Sequence, residues 1–454
     1  MPANLQPLTA CEAATVRFFA AELATTVGGS LLGPDVAVEG VGTDSRSLRA
    51  GQLFVPLTDH RDGHAFIADA VSVGAPAYLT TGPTAPGATA ILVEDAGAAL
   101  AAVGRAARAR LPGRVVAITG SVGKTTVKDL VAGVLSTTYR TSASPKSFNN
   151  EIGVPLTLAN AADDAEALVV ELGARGSGHI AYLCQIAEPT IGVVTRVAEA
   201  HTEHFGSVDG VAAAKSELVE SLPVSGTAVL NADDPRVLAM RDRARCRVVL
   251  YGTSAPADVT AHDISLDELA RPAFRLATPE GSADVRLALH GRHQVSNALA
   301  ASAAALAAGV PFHAVAEGLS KVAPPQGRMS VQSPRDGVVL VNDTYNANPT
   351  SVRAALEALA AIEGSRRIAI LGEMAELGTA SADGHQAVVG VAASLGIELI
   401  AYRTSSYGVD VVDTEEELVR RLEPSRRGDV ILVKASRVVG LEALVDALVQ
   451  ALAD

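Results

Sequence analysis

ITGSVGKTT, residues Ile118 to Thr126, directly follows an apolar run, Val115-Val116-Ala117, and directly precedes a helix-forming stretch. A strand that runs into a glycine-rich turn and then a helix presents backbone N–H groups and the positive end of the helix to an anion, so it can cradle phosphates. Gly120 and Gly123 supply the tight turn, Lys124 can reach terminal phosphates, and the Thr125 hydroxyl stands at the helix start, where it can ligate Mg2+. The usual spacing of such a loop places a further glycine at the position occupied here by Ile118. The competing reading is therefore a glycine-rich turn that holds no nucleotide.

The surrounding pattern sets this loop in a parallel sheet. From Arg114 onward, short β-branched runs (VVAIT, LVVEL, TIGVVT, GTAVL, RVVLYG) alternate with alanine-rich helical stretches, which implies βαβ units. A second series begins after Gly327, with GVVLVN, RRIAIL, IELIAY and DVILVK separated by helices such as Ser351 to Ile362 and Leu441 to Leu452. The residues before the loop carry short strands and turns, as in GVGTDSRSLRAGQLFVPL. Leu111-Pro112-Gly113 and Pro324-Pro325-Gln326-Gly327 mark the two changes of pattern, where proline stops a helix and opens a linker. The expectation is an α/β chain of three domains: a small α+β domain over 1–111, a central parallel-sheet domain over 112–325, and a Rossmann-like α/β domain over 326–454.

Bulk properties agree with that division and exclude several classes of partner. At 454 residues the chain is too long for one ordinary core, and 48% hydrophobic with 19% charged residues is the composition of a folded globular protein. A net charge of −13 argues against nucleic acid or anionic membrane as partner, so any anionic substrate must meet local positive groups. Cys11, Cys184 and Cys246 lie far apart, which gives neither a zinc pattern nor a disulfide framework and suits a reducing cytoplasm. The N-terminus carries no basic segment followed by an apolar run, and no stretch approaches the ~20 apolar residues of a membrane span.

Further candidates stand at strand ends, which in an open parallel sheet face the ligand crevice. One strand ends in Glu171 within ELGARGSG, and the next leads to EAHTEHFGS with His201. These two could share a metal, or each could be a surface or capping group. Lys215, in the helical run GVAAAKSELVES, reads on its own as a solvated lysine. In GRHQVSNALAASAAAL, His293, Gln294 and Asn297 occupy the first turns of a helix, where amides can read a base edge or cap the helix. Arg328 in QGRMSV and Asp343 in VNDTYNANPTS suit phosphate and metal or water contact across a cleft, or a salt bridge between domains.

Taken together and in this order, these motifs resemble the Mur ligases of peptidoglycan synthesis, over nearly the whole chain. SFNNEIGVPLTL, ELGARGSG, AHTEHFGS, NADDP, GRHQVSNALAA, NDTYNANP and LGEMAELG followed by His385 carry the resemblance. It implies an ADP-forming ligase that phosphorylates a carboxylate with ATP and Mg2+ and joins the acyl phosphate to an amine: UDP-N-acetylmuramoyl-tripeptide and D-alanyl-D-alanine as small-molecule substrates, in a cytoplasmic monomer. By the same resemblance, Gly120, Ser121, Val122, Gly123, Lys124, Thr125 and Thr126 hold ATP phosphates. Thr125, Glu171, His201 and a carbamylated Lys215 hold Mg2+. His293 and Asn297 lie near the adenine, Arg328 near the transferring phosphate, and Asp343, Tyr345, Asn346 and Asn348 on the ATP-facing loop of the last domain. Lys124, Lys215, His201 and Arg328 are thereby the catalytic set. Thr43, Asp44, Ser45 and Arg46, with Asp62, Gly63 and His64, resemble the UDP-receiving part, and Asn149, Asn150 and Asn348 belong to the substrate side. The chain departs from that branch at Arg196, where asparagine is frequent, at Gln294 (asparagine), at Glu373 (aspartate) and at Ala435 (glycine). These leave room for a related ligase that uses another dipeptide, depsipeptide or amine. A folylpolyglutamate synthase-like ligase on the same scaffold would lack the TDSR and DGH elements, and a regulatory nucleotide-binding module would not need Lys124, Glu171, His201 and Lys215 together.

Overall fold

The computed structural model describes residues 15–58, 61–111, 113–198, 205–254, 256–335, 337–423 and 426–453. The chain forms two compact units, the first made of Met1–Ala117, Tyr139–Gly173 and Ala181–Thr190, the second of Ile118–Thr138, Ala174–Ile180 and Ile191–Asp454. The strand Val115–Thr119, buried along its length, belongs to both, its first three residues to one and its last two to the other.

In the first unit a five-stranded sheet runs in the order Ser30–Leu32, Thr89–Leu92, Ala77–Thr80, Leu53–Phe54, Val41–Gly42. The first pair is antiparallel and the others are parallel. Val115–Ala117 lies beside Ala167–Glu171, which pairs in parallel with Thr141–Ala143. The helix Ala96–Arg110 crosses the helix Gly153–Ala159 so closely that a Cβ on Gly104 would stand 2.7 Å from the Pro155 Cα. Asn160 ties the short strands to this crossing: its Oδ1 accepts from the Val41 N–H (3.1 Å) and the Gln52 amide (3.0 Å).

In the second unit, Ile118–Thr119 continues beside Ile191–Val194, followed in parallel by Thr227–Asn231 and Arg247–Tyr251. The helix Lys124–Leu135 packs against Gln294–Ala307 and Phe312–Lys321. A three-stranded antiparallel sheet, Thr260–Leu266, Pro272–Thr278 and Gly281–Arg286, interrupts the α/β alternation. Its strands alternate buried and exposed side chains in only part of their length, so the sequence reading passed over them.

The second α/β series forms a six-stranded sheet in the order Ser330–Gln332, Val339–Asn342, Asp429–Lys434, Arg366–Leu371, Glu398–Tyr402, Val411–Val412, parallel except at its first pair. Its apolar runs are continuous because both faces are covered. Ala369, Leu371 and Leu432 face the helices Pro349–Ala361 and Ser381–Ser394, whereas Ile368, Ile370 and Ile431 face Glu415–Leu422 and Glu442–Ala453. This is the doubly wound, Rossmann-like arrangement expected from the sequence. No described helix is long and apolar enough to cross a membrane.

Candidate active site

The loop after Val115–Thr119 is shaped by two glycines with positive φ, Gly120 at 150° and Gly123 at 84°. A Cβ at Gly120 would fall well inside contact distance of the Thr195 hydroxyl, and one at Gly123 would stand 2.7 Å from the Asn297 Oδ1. Neither position admits a larger residue. The neighbouring strand end holds the loop from below. Thr195 donates its N–H to the Thr119 carbonyl (3.0 Å) and its hydroxyl to the Val122 carbonyl (2.6 Å), and the Ser121 N–H donates to the Arg196 carbonyl (2.7 Å). Ser121 Oγ also accepts from the Ala198 N–H at 3.0 Å. Arg196 thus serves through its backbone while its side chain is exposed, so the departure from asparagine there leaves the loop intact.

Lys124 and Thr125 begin the helix with Gly123 as its N-cap. The Lys124 ammonium donates to the Gly120 carbonyl at 2.8 Å, which folds it over the loop. Arg328 reaches the same place from beyond the Pro324–Gly327 linker: its Nη2 donates to Thr125 Oγ1 at 2.8 Å, and its guanidinium lies 3.9 Å from the Tyr345 ring centroid. The linker and the 343–348 loop are fastened together. Asp343 Oδ1 accepts from the Met329 N–H (3.1 Å), and the Tyr345 N–H donates to the Gly327 carbonyl (3.0 Å). On the other side of Asp343 stands Lys434, 2% exposed, which donates to Asp343 Oδ2 (2.7 Å) and to the Asn346 carbonyl (2.6 Å). Sequence reasoning singled out neither Thr195 nor Lys434. Lys434 ends a strand and Thr195 directly follows one, each beside a strand that leads into a chosen residue, Asp343 and Gly120 respectively.

Lys215, read as solvated from its helix, is 5% exposed. Burial, reinforced by the nearby Lys124 ammonium, brings its amine down to about 7. An amine with that value is substantially neutral at physiological pH and therefore nucleophilic. Burial likewise lowers the His293 imidazole to about 4, and its Nε2 lies 3.0 Å from the Gln294 amide nitrogen. Gln294 Oε1 in turn accepts from Asn297 at 2.7 Å, so the longer side chain at Gln294 completes a chain from His293 to Asn297. Ala435 replaces glycine without a clash because Gly372, whose Cβ would stand 2.8 Å from the Ala435 Cβ, has none.

In the first unit Glu171 is 1% exposed and accepts from the Asn149 amide at 2.8 Å. Asn150 Oδ1 caps the following helix through the Gly153 N–H (2.8 Å). Asp44 holds Arg46 by paired contacts of 2.9 and 2.7 Å, and the Arg46 side chain is exposed. His64 accepts the Thr81 N–H at Nε2 (3.1 Å), which leaves its Nδ1 proton for Asp62 at 2.7 Å. The His64 N–H and imidazole hold the Asp62 carboxyl below the usual range. Gly63 is required by the Leu57 backbone, since a Cβ would stand 2.8 Å from its nitrogen. Thr43 and Ser45 lie in the turn around Asp44. Asn348 is taken up by a capping box with Ser351 at the start of Pro349–Ala361. The Asn346 side chain accepts from the adjacent Ala347 N–H at 2.9 Å. His201 lies outside the described residues, and among those described no three His, Cys, Asp or Glu converge as a metal cluster.

A phosphate-type loop with a basic residue from another segment on its threonine is the arrangement of a nucleotide-dependent enzyme. Comparison with known proteins narrows it. Residues 118–305 match the Mur ligase middle domain and residues 327–437 match the Mur ligase, glutamate ligase domain. UDP-N-acetylmuramoyl-tripeptide--D-alanyl-D-alanine ligase of Mycobacterium tuberculosis is 39% identical over 94% of this chain and 97% of that protein. The fold is similar to that of MurF from Acinetobacter baumannii, with a TM-score of 0.87 and 30% identity over 96% of this chain and 100% of that one. It is also similar to MurF ligase from Thermotoga maritima in complex with ADP, with a TM-score of 0.81 and 28% identity over 91% of this chain and 97% of that one. On sequence, on both domain matches and on fold, the chain belongs to the Mur ligase family.

Proposed function

We propose that this chain is the ATP-dependent, ADP-forming ligase that joins D-alanyl-D-alanine to UDP-N-acetylmuramoyl-tripeptide and so makes the pentapeptide precursor of peptidoglycan. The observation that carries the reading is the meeting of Arg328 with Thr125 on a loop whose Lys124 already lies over Gly120. Two cationic groups from distant segments converge where the terminal phosphates of ATP would sit.

The chemistry follows from the difficulty of joining a carboxylate to an amine in water. A carboxylate is a poor electrophile, and phosphorylation turns it into an acyl phosphate with a good leaving group. Backbone N–H groups of 120–123 and the Lys124 ammonium offset the charge that gathers on the γ-phosphoryl as it moves. Arg328 gives up its hydroxyl contact for a phosphate oxygen, to which a guanidinium binds more strongly. The dipeptide amine then attacks the acyl carbon and phosphate departs. His293 and Asn297 lie toward the adenine, with Asn297 already against Gly123. The TDSR and DGH elements receive the UDP group.

By the resemblance, the Thr125 hydroxyl, the Glu171 carboxylate, a carbamate on Lys215 and His201 would hold Mg2+, a cation that prefers hard oxygen donors. When bound it supplies charge neutralisation on the phosphates. The buried, lowered amine of Lys215 supports the carbamate, because only a neutral amine condenses with CO2, and the product exchanges a cation beside Lys124 for an anion. Domain boundaries at 111/112 and 325/326, a cytoplasmic location and a monomeric state complete the reading; the matched segments 118–305 and 327–437 fall inside the second and third domains.

The test is phosphate release from MgATP in the presence of UDP-N-acetylmuramoyl-tripeptide, with and without D-alanyl-D-alanine, and product identification by mass. Release that requires both substrates and yields the pentapeptide is expected. A folded, ATP-binding protein that ignores this dipeptide but turns over with another dipeptide, depsipeptide or amine would move the assignment to the related ligase.

A further inference from the structure

The sheet of the second α/β series changes the side of its helices between two neighbouring strands. Asp429–Lys434 and Arg366–Leu371 are neighbours in parallel, yet the helices that follow them cover opposite faces: Glu442–Ala453 packs on one and Ser381–Ser394 on the other. The chain therefore leaves these two strands in opposite directions, and the space beyond their carboxyl ends is where an open α/β sheet takes a ligand. Glu373 stands there, two residues past the end of Arg366–Leu371, and its carbonyl accepts the N–H of Ser436 from the neighbouring strand end at 3.0 Å.

The hydrogen bonding of Glu373 is lopsided. Its Oε2 accepts from the Ser406 hydroxyl at 2.9 Å and from the Thr404 hydroxyl. Its Oε1 faces the imidazole of His385 at 3.7 Å, and that face of the ring has no proton to give. His385 is fully buried, donates Nδ1–H to the Ser381 carbonyl (2.7 Å) and accepts the Met374 N–H at Nε2 (3.1 Å). Among the described residues no lysine or arginine pairs with Glu373; Lys434, on the adjacent strand, is committed to Asp343 and the Asn346 carbonyl. The result is a carboxylate whose side chain is 37% exposed, pinned at one oxygen by two hydroxyls and open at the other. A carboxylate held this firmly beyond the carboxyl ends of the strands, with an unfilled acceptor, is matched by a cationic donor with several N–H bonds.

From this geometry we infer that Glu373 is the specificity-determining residue for the incoming amine, with Oε1 receiving the ammonium of the dipeptide before it is consumed. Thr404, Ser406 and His385 are positioning residues that aim it. The inference rests on the ligase reading above and deepens it by assigning one end of the second substrate.

The experiment is steady-state kinetics of the full chain and its Glu373→Gln variant, with D-alanyl-D-alanine as substrate. N-propionyl-D-alanine, which has hydrogen in place of the amine, serves as competitive inhibitor. Glutamine keeps the shape and an acceptor for the hydroxyls but removes the charge. The expected result is a KM for the dipeptide raised roughly 10- to 100-fold, the range for a lost hydrogen bond to a charged group. The Ki of N-propionyl-D-alanine and the KM values for ATP and the UDP-tripeptide stay within about 3-fold, so the preference for the charged ligand collapses. Glu373→Asp, which restores charge at shorter reach, recovers part of it. Equal weakening of dipeptide and uncharged analogue would show a structural role and overturn the inference, as would an unchanged dipeptide KM. A wild-type enzyme that does not use the dipeptide at all brings down the substrate assignment, and this inference with it.

Discussion

At the scale of single residues, burial decides what a side chain can do. Lys215 has the helix context of an ordinary surface lysine, and only its surroundings lower its amine to about 7. An unfolded chain keeps that amine at the ordinary lysine value, so between the two values the unfolded state binds more protons than the folded one. The contribution of this site to stability accordingly rises with pH through that window, and the charging penalty is fully present below about 7. In CO2-free buffer Lys215→Met is expected to be more stable than the wild type near pH ~6, with the advantage fading toward pH ~10, as read from urea midpoints. An advantage of equal size at both ends would mean that cavity and packing effects, not charge, dominate. The same site carries a functional expectation: Lys215→Ala lowers ligase activity, and short carboxylates partly restore it by replacing the carbamate oxygens.

Close packing of elements can reverse a propensity. Gly104 lies within the helix Ala96–Arg110, where alanine would ordinarily stabilise by about 1 kcal/mol. Its hydrogen faces Pro155, and an added Cβ would meet the Pro155 Cα at 2.7 Å. Backbone cannot yield as a side-chain tip can, and overpacking of this kind costs about 1–3 kcal/mol. Gly104→Ala is therefore expected to destabilise by about 0–2 kcal/mol in urea unfolding, the net of the two effects, instead of stabilising as an exposed helix position would. A stabilised variant would show that the two helices separate easily. The six-stranded sheet gives the complementary case. RRIAIL was readable as a buried strand because its four positions from Ile368 to Leu371 are all apolar, as a strand covered on both faces requires, whereas the antiparallel strands of 260–286, with mixed patterns, were not.

For the whole molecule, the proposed function makes Arg328 the link that would couple nucleotide to the 343–348 loop. It touches Thr125 at one end and lies on Tyr345 at the other, while Asp343 and the Tyr345 N–H fasten the linker to the loop. Binding of a non-hydrolysable ATP analogue is expected to slow amide hydrogen exchange in both 120–126 and 343–348. In Arg328→Ala the protection of 120–126 persists and that of 343–348 is lost. Protection of both segments in the variant would place the coupling elsewhere. ATP at about 100 times its dissociation constant should add about 2.7 kcal/mol of stability, which gives the scale against which the variant's loss is read.

The phosphate loop, the order of its strand and helix and the two α/β series were legible in the sequence. Each depends on residues adjacent in the chain: Gly120 and Gly123 in one turn, and alternating apolar runs. Through the order of its motifs the sequence also determined the family. Only the tertiary structure decided that Lys215 is buried beside Lys124, that Thr195 and Asn297 close around the loop, that Lys434 holds Asp343, and that Glu373 keeps one oxygen open. These properties arise where residues distant in sequence are brought within a few ångströms, and burial and hydrogen-bond geometry at such points are not local properties of the chain.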